Sequence, residues 1–323
     1  MRTIALLLHE DVVLSTVSGA LDMFYHVNRY YEANGRPHPF KVNLVGVADT
    51  NTLLHFPERY VQYQCLSQAS RPDLIIAPAW YGTPAETLPK HQQLQQWMRQ
   101  QYQQGTEVAS LCSGSYFLAE AGILDGKCCT SHWYDMPDLK SRYPNVDFMA
   151  DRVITDIDGV YTSGGAFSSL NLVLYMIEKF CGREIGIWAS KMFSLDIDRV
   201  QQSHFAIFHG QRTHNDELIL KAQAFIEASF GEPLSVEQLA EHTNMSKRNF
   251  IRRFKSATQN TPLEYLQRVK IESAKKALEK SEENIATLMY DAGYNDIKTF
   301  RNVFKKYTGL TPQDYRRKYR RMA

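Results

Sequence analysis

Residues 234–262 read LSVEQLAEHTNMSKRNFIRRFKSATQNTP, and residues 283–312 read ENIATLMYDAGYNDIKTFRNVFKKYTGLTP. The two stretches repeat one pattern: a short amphipathic helix, a tight turn, and a second helix with apolar residues inside and basic residues outside. This is the grammar of a helix-turn-helix, whose second helix enters a DNA major groove. In the first copy Ser235 is a natural N-cap with Gln238 three residues on, the spacing of a capping box. Val236, Leu239 and Ala240 mark one helix face. His242 to Met245 makes the turn and Ser246 caps the next helix, where Phe250 and Phe254, one turn apart, face inward. In the second copy Asn284 or Glu283 starts the first helix, with Ile285, Leu288, Met289 and Ala292 on its inner face. Gly293 stands where the turn requires positive φ, and Phe300 and Phe304 repeat the inward pair. Between the copies Pro262 opens a long helix through about Leu278.

One basic helix would read as an ordinary solvated face. Two at matched spacing argue for a nucleic-acid reader. The charge distribution agrees. The chain of 323 residues has a formal net charge of only +2, but from Asp216 onward it carries 20 Lys and Arg against 14 Asp and Glu, and before that 17 against 21. A cationic C-terminal third beside an acidic remainder suits a DNA reader joined to a domain that is not one.

The runs SKRNFIRRFKSATQNTPLEYL and AGYNDIKTFRNVFKKYTGLTPQDYRR resemble the AraC/XylS family of transcription regulators, over roughly the last hundred residues. The resemblance implies that both recognition helices enter successive major grooves. Carried over by position, Arg248, Ile251 and Arg252 in the first helix, and Ile297, Lys298, Arg301 and Asn302 in the second, would meet base edges. Arginine suits a guanine edge because its planar fork donates to two acceptors at once.

The first two-thirds alternate short apolar runs with helical patterns. Strands are expected at Thr3–Leu8, Phe40–Gly46, Asp73–Ala77, Glu107–Leu111, Lys127–Thr130 and Val160–Thr162. Helices are expected at Val17–Tyr31, His91–Gln104, Ser113–Ala121, Phe167–Phe180 and Glu184–Phe193. Such alternation argues for an α/β domain with a mostly parallel sheet covered on both faces, followed by an all-α C-terminal domain with two helix-turn-helix motifs.

Within residues 108–133, VASLCSGSYFLAEAGILDGKCCTSHW, an apolar strand ends at Leu111. Cys112 sits at the break, and Ser113, Gly114 and Ser115 open a helix. A nucleophile on a sharp strand-to-helix turn is the elbow of hydrolytic α/β enzymes, and a helix N-terminus lowers a thiol pKa. His132 follows twenty residues on. Buried cysteines are as often inert. The wider stretch, from residue 1 to about 205 and including TSGGAFSSLNLVLYMIEKFCG, resembles the ThiJ/PfpI family, which has a flavodoxin-like fold related to class I glutamine amidotransferases. A ThiJ/PfpI domain followed by an AraC-type reader is the layout of GlxA-like regulators, and DIDRVQQSHF at 196–205 resembles their junction. Catalytic members of the superfamily place an acid after the first strand, where this chain has Thr16. Cys112 with His132 and no acid is an incomplete constellation. Thr16, Cys112, Ser113 and His132 are therefore expected to line a small-ligand pocket rather than a catalytic site. The alternatives are an amidase or glyoxalase-like hydrolase, or a redox switch, on Cys112 and His132.

The resulting expectation is a sensor domain at 1–205, a linker at 206–215 and a DNA-binding domain at 216–323. Double-stranded operator DNA, an unidentified small-molecule effector, a second copy of the chain and RNA polymerase are the expected partners. No cofactor is called for. The five cysteines, odd in number and without a CxxC pair, suggest neither a disulfide framework nor a zinc site, and a reducing cytoplasm, with association to the bacterial nucleoid on binding DNA, fits them. His204, His209 and His214, five apart, do not share a helix face, so no metal is expected there. Trp80, Tyr81 and Trp133 are candidates for a pocket mouth or for packing. The apolar run from Ile4 to Leu8 is too short for a signal-peptide core, and no stretch is long enough to span a bilayer.

Overall fold

The computed structural model describes residues 1–47, 61–197, 202–212 and 214–320. The chain divides into two compact units, Met1–Gln202 and Ser203–Ala323.

The first unit is built on a seven-stranded sheet. Its strands are β1 (Arg2–Leu7), β2 (Phe40–Gly46), β3 (Gln62–Cys65), β4 (Leu74–Ala77), β5 (Glu107–Ser110), β8 (Ile154–Ile157) and β9 (Val160–Ser163), in the order β3-β2-β1-β4-β5-β9-β8. All neighbours are parallel except β8 and β9. The apolar runs are continuous because both faces are covered. Ile4, Leu6 and Leu8 enter one core while Ala5 and Leu7 enter the other, and β4 divides the same way, Leu74 and Ile76 against Ile75 and Ala77. Helices α1 (Leu14–Ala33), α6 (Ser169–Cys181) and α7 (Arg183–Phe193) close the first face, and α3 (Gln92–Gln103) and α4 (Ser115–Glu120) the second. Short helices α2 (Pro84–Thr87) and α5 (Met136–Arg142) lie in the connections. The strand order reverses direction between β1 and β4, and at such a switch point the carboxyl ends of the strands leave a crevice.

Several elements differ from expectation. The strand expected at Lys127–Thr130 is only β6 (Cys128–Cys129), and it pairs outside the main sheet with β7 (Asp147–Phe148). Strand β3, QYQC, is a polar edge strand with little apolar signal. β8 and β9 form a hairpin through Asp158 (φ 51°) and Gly159 (φ 75°), the two-residue turn that Asp-Gly favours. The junction at 196–205 lies partly outside the described residues.

The second unit is all-α: α8 (Glu217–Ser229), α9 (Val236–His242), α10 (Lys247–Thr258), α11 (Pro262–Lys280), α12 (Ile285–Asp291), α13 (Ile297–Thr308) and α14 (Pro312–Tyr319). It has two small cores. One gathers Ile219, Ile226, Leu239, Phe250, Phe254 and Tyr265, the other Ile271, Leu278, Leu288, Phe300, Phe304 and Tyr315. Residues 206–212 are irregular chain laid on this unit: Lys275 donates to the Ala206 carbonyl, Glu272 accepts from the Phe208 N–H, and the Phe208 ring lies 5.1 Å from Tyr265. No helix among the described residues is long and apolar enough to cross a membrane.

Candidate functional site

The two helix pairs are duplicates down to individual hydrogen bonds. Ser235 caps α9 in a full capping box with Gln238, and Asn284 caps α12 through the Thr287 N–H. Each turn then contains one left-handed residue, Asn244 (φ 54°) in the first copy and Gly293 (φ 73°) in the second. The second turn is one residue longer, so equivalent positions are offset by 49 before it and by 50 after it. Ser246 and Asp296 cap the second helices through the N–H of Asn249 and Thr299. On α10 Phe250 and Phe254 stand 5.4 Å apart, and on α13 Phe300 and Phe304 stand 5.7 Å apart; all four are fully buried. Thr258 and Thr308 end the helices identically, each hydroxyl donating to the carbonyl four residues back at 2.8 Å and to that two residues ahead at 3.1 Å. Thr261 and Thr311 cap the next helices, and Tyr265 and Tyr315 donate to Glu227 and Glu279.

With the phenylalanines inward, the opposite face is fixed by the helical period. Arg248 and Arg252 on α10, and Lys298, Arg301 and Asn302 on α13, are exposed; Ile251 and Ile297 are half-buried at the rim. Arg252 donates to Asn249 Oδ1 at 3.0 Å, whereas Arg301 has no hydrogen-bond or ion-pair partner among the described residues. Arg253, next to Arg252 on α10, has another task. Its guanidinium grips Asp216, the N-cap of α8, through Nε and Nη2 at 2.9 and 2.8 Å. Lys247 is paired with Glu237. Those two cations are therefore committed to pairs, while Arg248, Lys298 and Arg301 at the positions the resemblance selects, and Lys255, Lys305 and Lys306 beside them, are in no ion pair among the described residues.

In the first unit Cys112 has φ 56°, a left-handed backbone at the end of β5, and the chain passes through one 3-10 turn (Cys112–Gly114) into α4. A strained non-glycine residue between strand and helix is the elbow geometry. Gly114 is required there, since a Cβ would stand 2.3 Å from the Ala77 carbonyl oxygen. The elbow is held from three sides. Ser163 Oγ accepts from the Cys112 N–H at 3.3 Å, Ser131 Oγ donates to the Cys112 carbonyl at 3.1 Å, and Ser113 Oγ accepts from the Trp80 N–H at 3.1 Å. Trp80 is thus a core residue, its indole N–H donating to the Ser113 carbonyl and its ring stacked on Phe117, while Tyr81 is exposed. Trp133 is half-buried, 5.2 Å from the His132 ring.

His132 is half-buried, and burial lowers its pKa, so the ring is neutral. The Tyr134 N–H donates to Nδ1 at 3.0 Å, which leaves the ring proton on Nε2. A histidine in that tautomer cannot take a thiol proton at Nε2. Thr16 is 2 % exposed, and its hydroxyl donates to the Val13 carbonyl at 2.7 Å and accepts from the Ala79 N–H at 3.2 Å. It joins the start of α1 to the end of β4. Cys112 and Ser113 are 8 % and 9 % exposed, so three of the four expected pocket residues are nearly sealed.

Sequence reasoning missed Gln202, which the structure makes central. It is 1 % exposed; its Nε2 lies within 2.9–3.4 Å of the carbonyls of Ser131, Arg152 and Ala150 and of Thr130 Oγ1, and its Oε1 accepts from the Gly165 N–H. Gly164 and Gly165 are small for this reason. A Cβ on Gly164 would lie 2.4 Å from Gln202 Oε1, and one on Gly165 would lie 1.9 Å from His132 Cδ2. The Ser-Gly-Gly turn is a packing device. Of the histidines set aside above, His214 meets Gln223 at 3.0 Å and His204 meets Lys318 at 2.8 Å.

Comparison with known proteins divides the chain in the same manner. Residues 239–318 match the helix-turn-helix domain family, and residues 60–179 match the DJ-1/PfpI family. The HTH-type transcriptional regulator GbdR of Pseudomonas aeruginosa is 28% identical over 221 residues, 68% of this chain and 60% of its own length. The chain thus spans about 60% of that relative. The HTH-type transcriptional regulator GlxA of Rhizobium meliloti is 26% identical over 218 residues, 66% of each chain. The crystal structure of an AraC family transcriptional regulator from Pseudomonas putida covers 60% of this chain and 100% of its own, with a TM-score of 0.50 at 16% identity, and so shares its fold.

Proposed function

We propose that this chain, which joins a DJ-1/PfpI-type domain to an AraC-type helix-turn-helix domain, is a sequence-specific DNA-binding transcription regulator. The observation that carries the reading is the duplication. Two helices, α10 and α13, share caps, buried phenylalanine pairs and terminal threonines, and each turns a set of exposed polar and basic side chains outward. Arg248, Ile251 and Arg252 would read one major groove, and Ile297, Lys298, Arg301 and Asn302 the next. The remaining surface cations, including Lys255, Lys305 and Lys306, supply salt-sensitive attraction to phosphates. Mobility-shift titration of the full chain against promoter-length genomic fragments tests this. Retention of particular fragments at salt that releases bulk DNA supports it, and uniform release of all fragments refutes it.

The first unit then acts as the sensor. A ligand changes transcription only if it binds two arrangements of the protein with different affinity. The sealed environment of Cys112 and Ser113 means that an effector entering there must move the elbow, and with it the Trp80 and Ser131 contacts that hold it. A second copy of the chain is a partner in this reading, and Leu14 and Phe167, 50 % and 69 % exposed, are the apolar side chains to test for it. RNA polymerase is a further partner in this reading, and the cytoplasm its setting.

A second reading is a thiol-based redox switch at Cys112, whose strained elbow is that of a nucleophile; at 8 % exposure, an oxidant must first open the elbow. Hydrolysis is disfavoured by the His132 tautomer.

A further inference from the structure

Outside the elbow, the first unit gathers two imidazoles and a carboxylate at the switch point of the sheet. His9 follows β1, Asp11 lies two residues on, and His91 ends the 3-10 turn Leu88–His91 before α3. One ligand atom from each lies within 4.8 Å of the other two. His91 Nε2 meets Asp11 Oδ2 at 2.8 Å, and the two imidazole rings are 4.4 Å apart. Both rings border Phe117 on α4, at 5.1 and 5.7 Å.

His9 is the unexplained member. It is 4 % exposed, yet neither ring nitrogen meets a hydrogen-bond partner among the described residues. Buried polar atoms are nearly always satisfied, and an orphaned imidazole calls for an account. A neutral imidazole presents a lone pair that ligates metals.

We propose that His9, Asp11 and His91 form a binding site for a zinc-class divalent transition metal ion. Two imidazoles and one carboxylate are a donor set for Zn2+ and its neighbours, and three protein ligands leave the fourth position to water or an exogenous group. The backbones that carry the ligands are fixed. Tyr81 N–H donates to the Asp11 carbonyl at 2.7 Å, Val13 N–H to the Ala79 carbonyl at 2.8 Å, and Gln95 Nε2 to the Leu88 carbonyl at 2.9 Å. Bonds of about 2.0–2.1 Å set tetrahedral ligand atoms roughly 3.4 Å apart. At that spacing the His9 nitrogen would have to move inward, while Asp11 and His91, now 2.8 Å apart, would have to open by about half an ångström and give up their hydrogen bond to the metal. Asp11, the most exposed of the three, opens the site to solvent, and Lys90, 4.0 Å from its Oδ1, is exposed and free to swing away. A metal here would brace α4, the helix that follows Cys112, through Phe117.

The test uses chelator-stripped full-length protein. Zn2+ is titrated in competition with a chromophoric chelator, and Co2+ in parallel by visible spectroscopy. We expect one tight equivalent per chain and cobalt ligand-field bands without thiolate charge transfer. Asp11→Asn should weaken binding by more than about tenfold and His9→Gln by more still, with His214→Ala unchanged. Asp11→Asn, at the most exposed ligand, keeps the test valid should His9→Gln misfold. Absence of stoichiometric binding by the wild type, binding unaltered in Asp11→Asn, or a cobalt–thiolate band would each overturn the proposal.

Discussion

Arg301, Arg252 and Arg253 are three arginines with three different states in the structure, and their alanine variants should separate accordingly. Arg301 is exposed with no hydrogen-bond or ion-pair partner among the described residues, so its guanidinium can donate both arms to a base without giving anything up. A good bidentate contact contributes about 1–3 kcal/mol of discrimination, roughly 5- to 150-fold. Arg301→Ala should lose that factor on the preferred duplex and little on a scrambled one. Arg252 must first release Asn249, a bond with a net contribution of about 0.5–1.5 kcal/mol. Its alanine variant should therefore lose about 1 kcal/mol less. Arg253 is bound to Asp216, and both members of the pair are partly exposed. Its removal should destabilise the unit by about 1 kcal/mol, since solvent screens the pair, and leave the ratio between duplexes unchanged. Fluorescence anisotropy on both duplexes, with thermal melts of each variant, reads all three effects. Equal losses by Arg301→Ala on the two duplexes would make it a phosphate contact. A changed duplex ratio in Arg253→Ala at unaltered stability would refute the division between structural and reading arginines.

Three further outcomes are expected. Gln202→Ala leaves the Gly165 N–H and the carbonyls of Ser131 and Arg152 without their partner, so it should cost about 2–4 kcal/mol and several degrees in Tm. Asp135 is raised from 3.8 to about 7, by burial and then by Asp138. Its folded pKa exceeds its unfolded one, so the protonated form favours folding and stability falls as pH rises from about 4 to about 7. Asp135→Asn should flatten that slope in denaturant titrations and leave the variant about 1–3 kcal/mol more stable than wild type at pH 8. If Cys112 is a redox switch, peroxide should change DNA affinity in the wild type and not in Cys112→Ser; identical responses would remove that reading.

Legibility in the sequence followed local chemistry. Caps and turns could be read because Ser235, Ser246, Asn284 and Gly293 act on neighbours within a few residues, and each does so in the structure. The main strands were legible as apolar runs. Strand β3 was not, because QYQC is a polar edge that owes its conformation to pairing with β2. The β8–β9 hairpin carries one local signal, the Asp158-Gly159 turn, between apolar runs too short to stand out. Long-range facts left no trace: that Arg253 turns to Asp216, thirty-seven residues away, that Gln202 fills the space left by Gly164, and that His9 faces His91 across the switch point. The spacing of Cys112 and His132 was readable, while the His132 tautomer depends on a backbone N–H that only the folded loop supplies.

The central claim is that α10 and α13 are two matched readers. Selection of bound duplexes from a random library, with full-length protein and with Arg301→Ala, tests it directly. The expected result is a motif of two boxes centred about one helical turn apart, roughly 10 base pairs, of which the variant loses one. A single box that Arg301→Ala leaves intact, or no enrichment above salt-sensitive background, would contradict it.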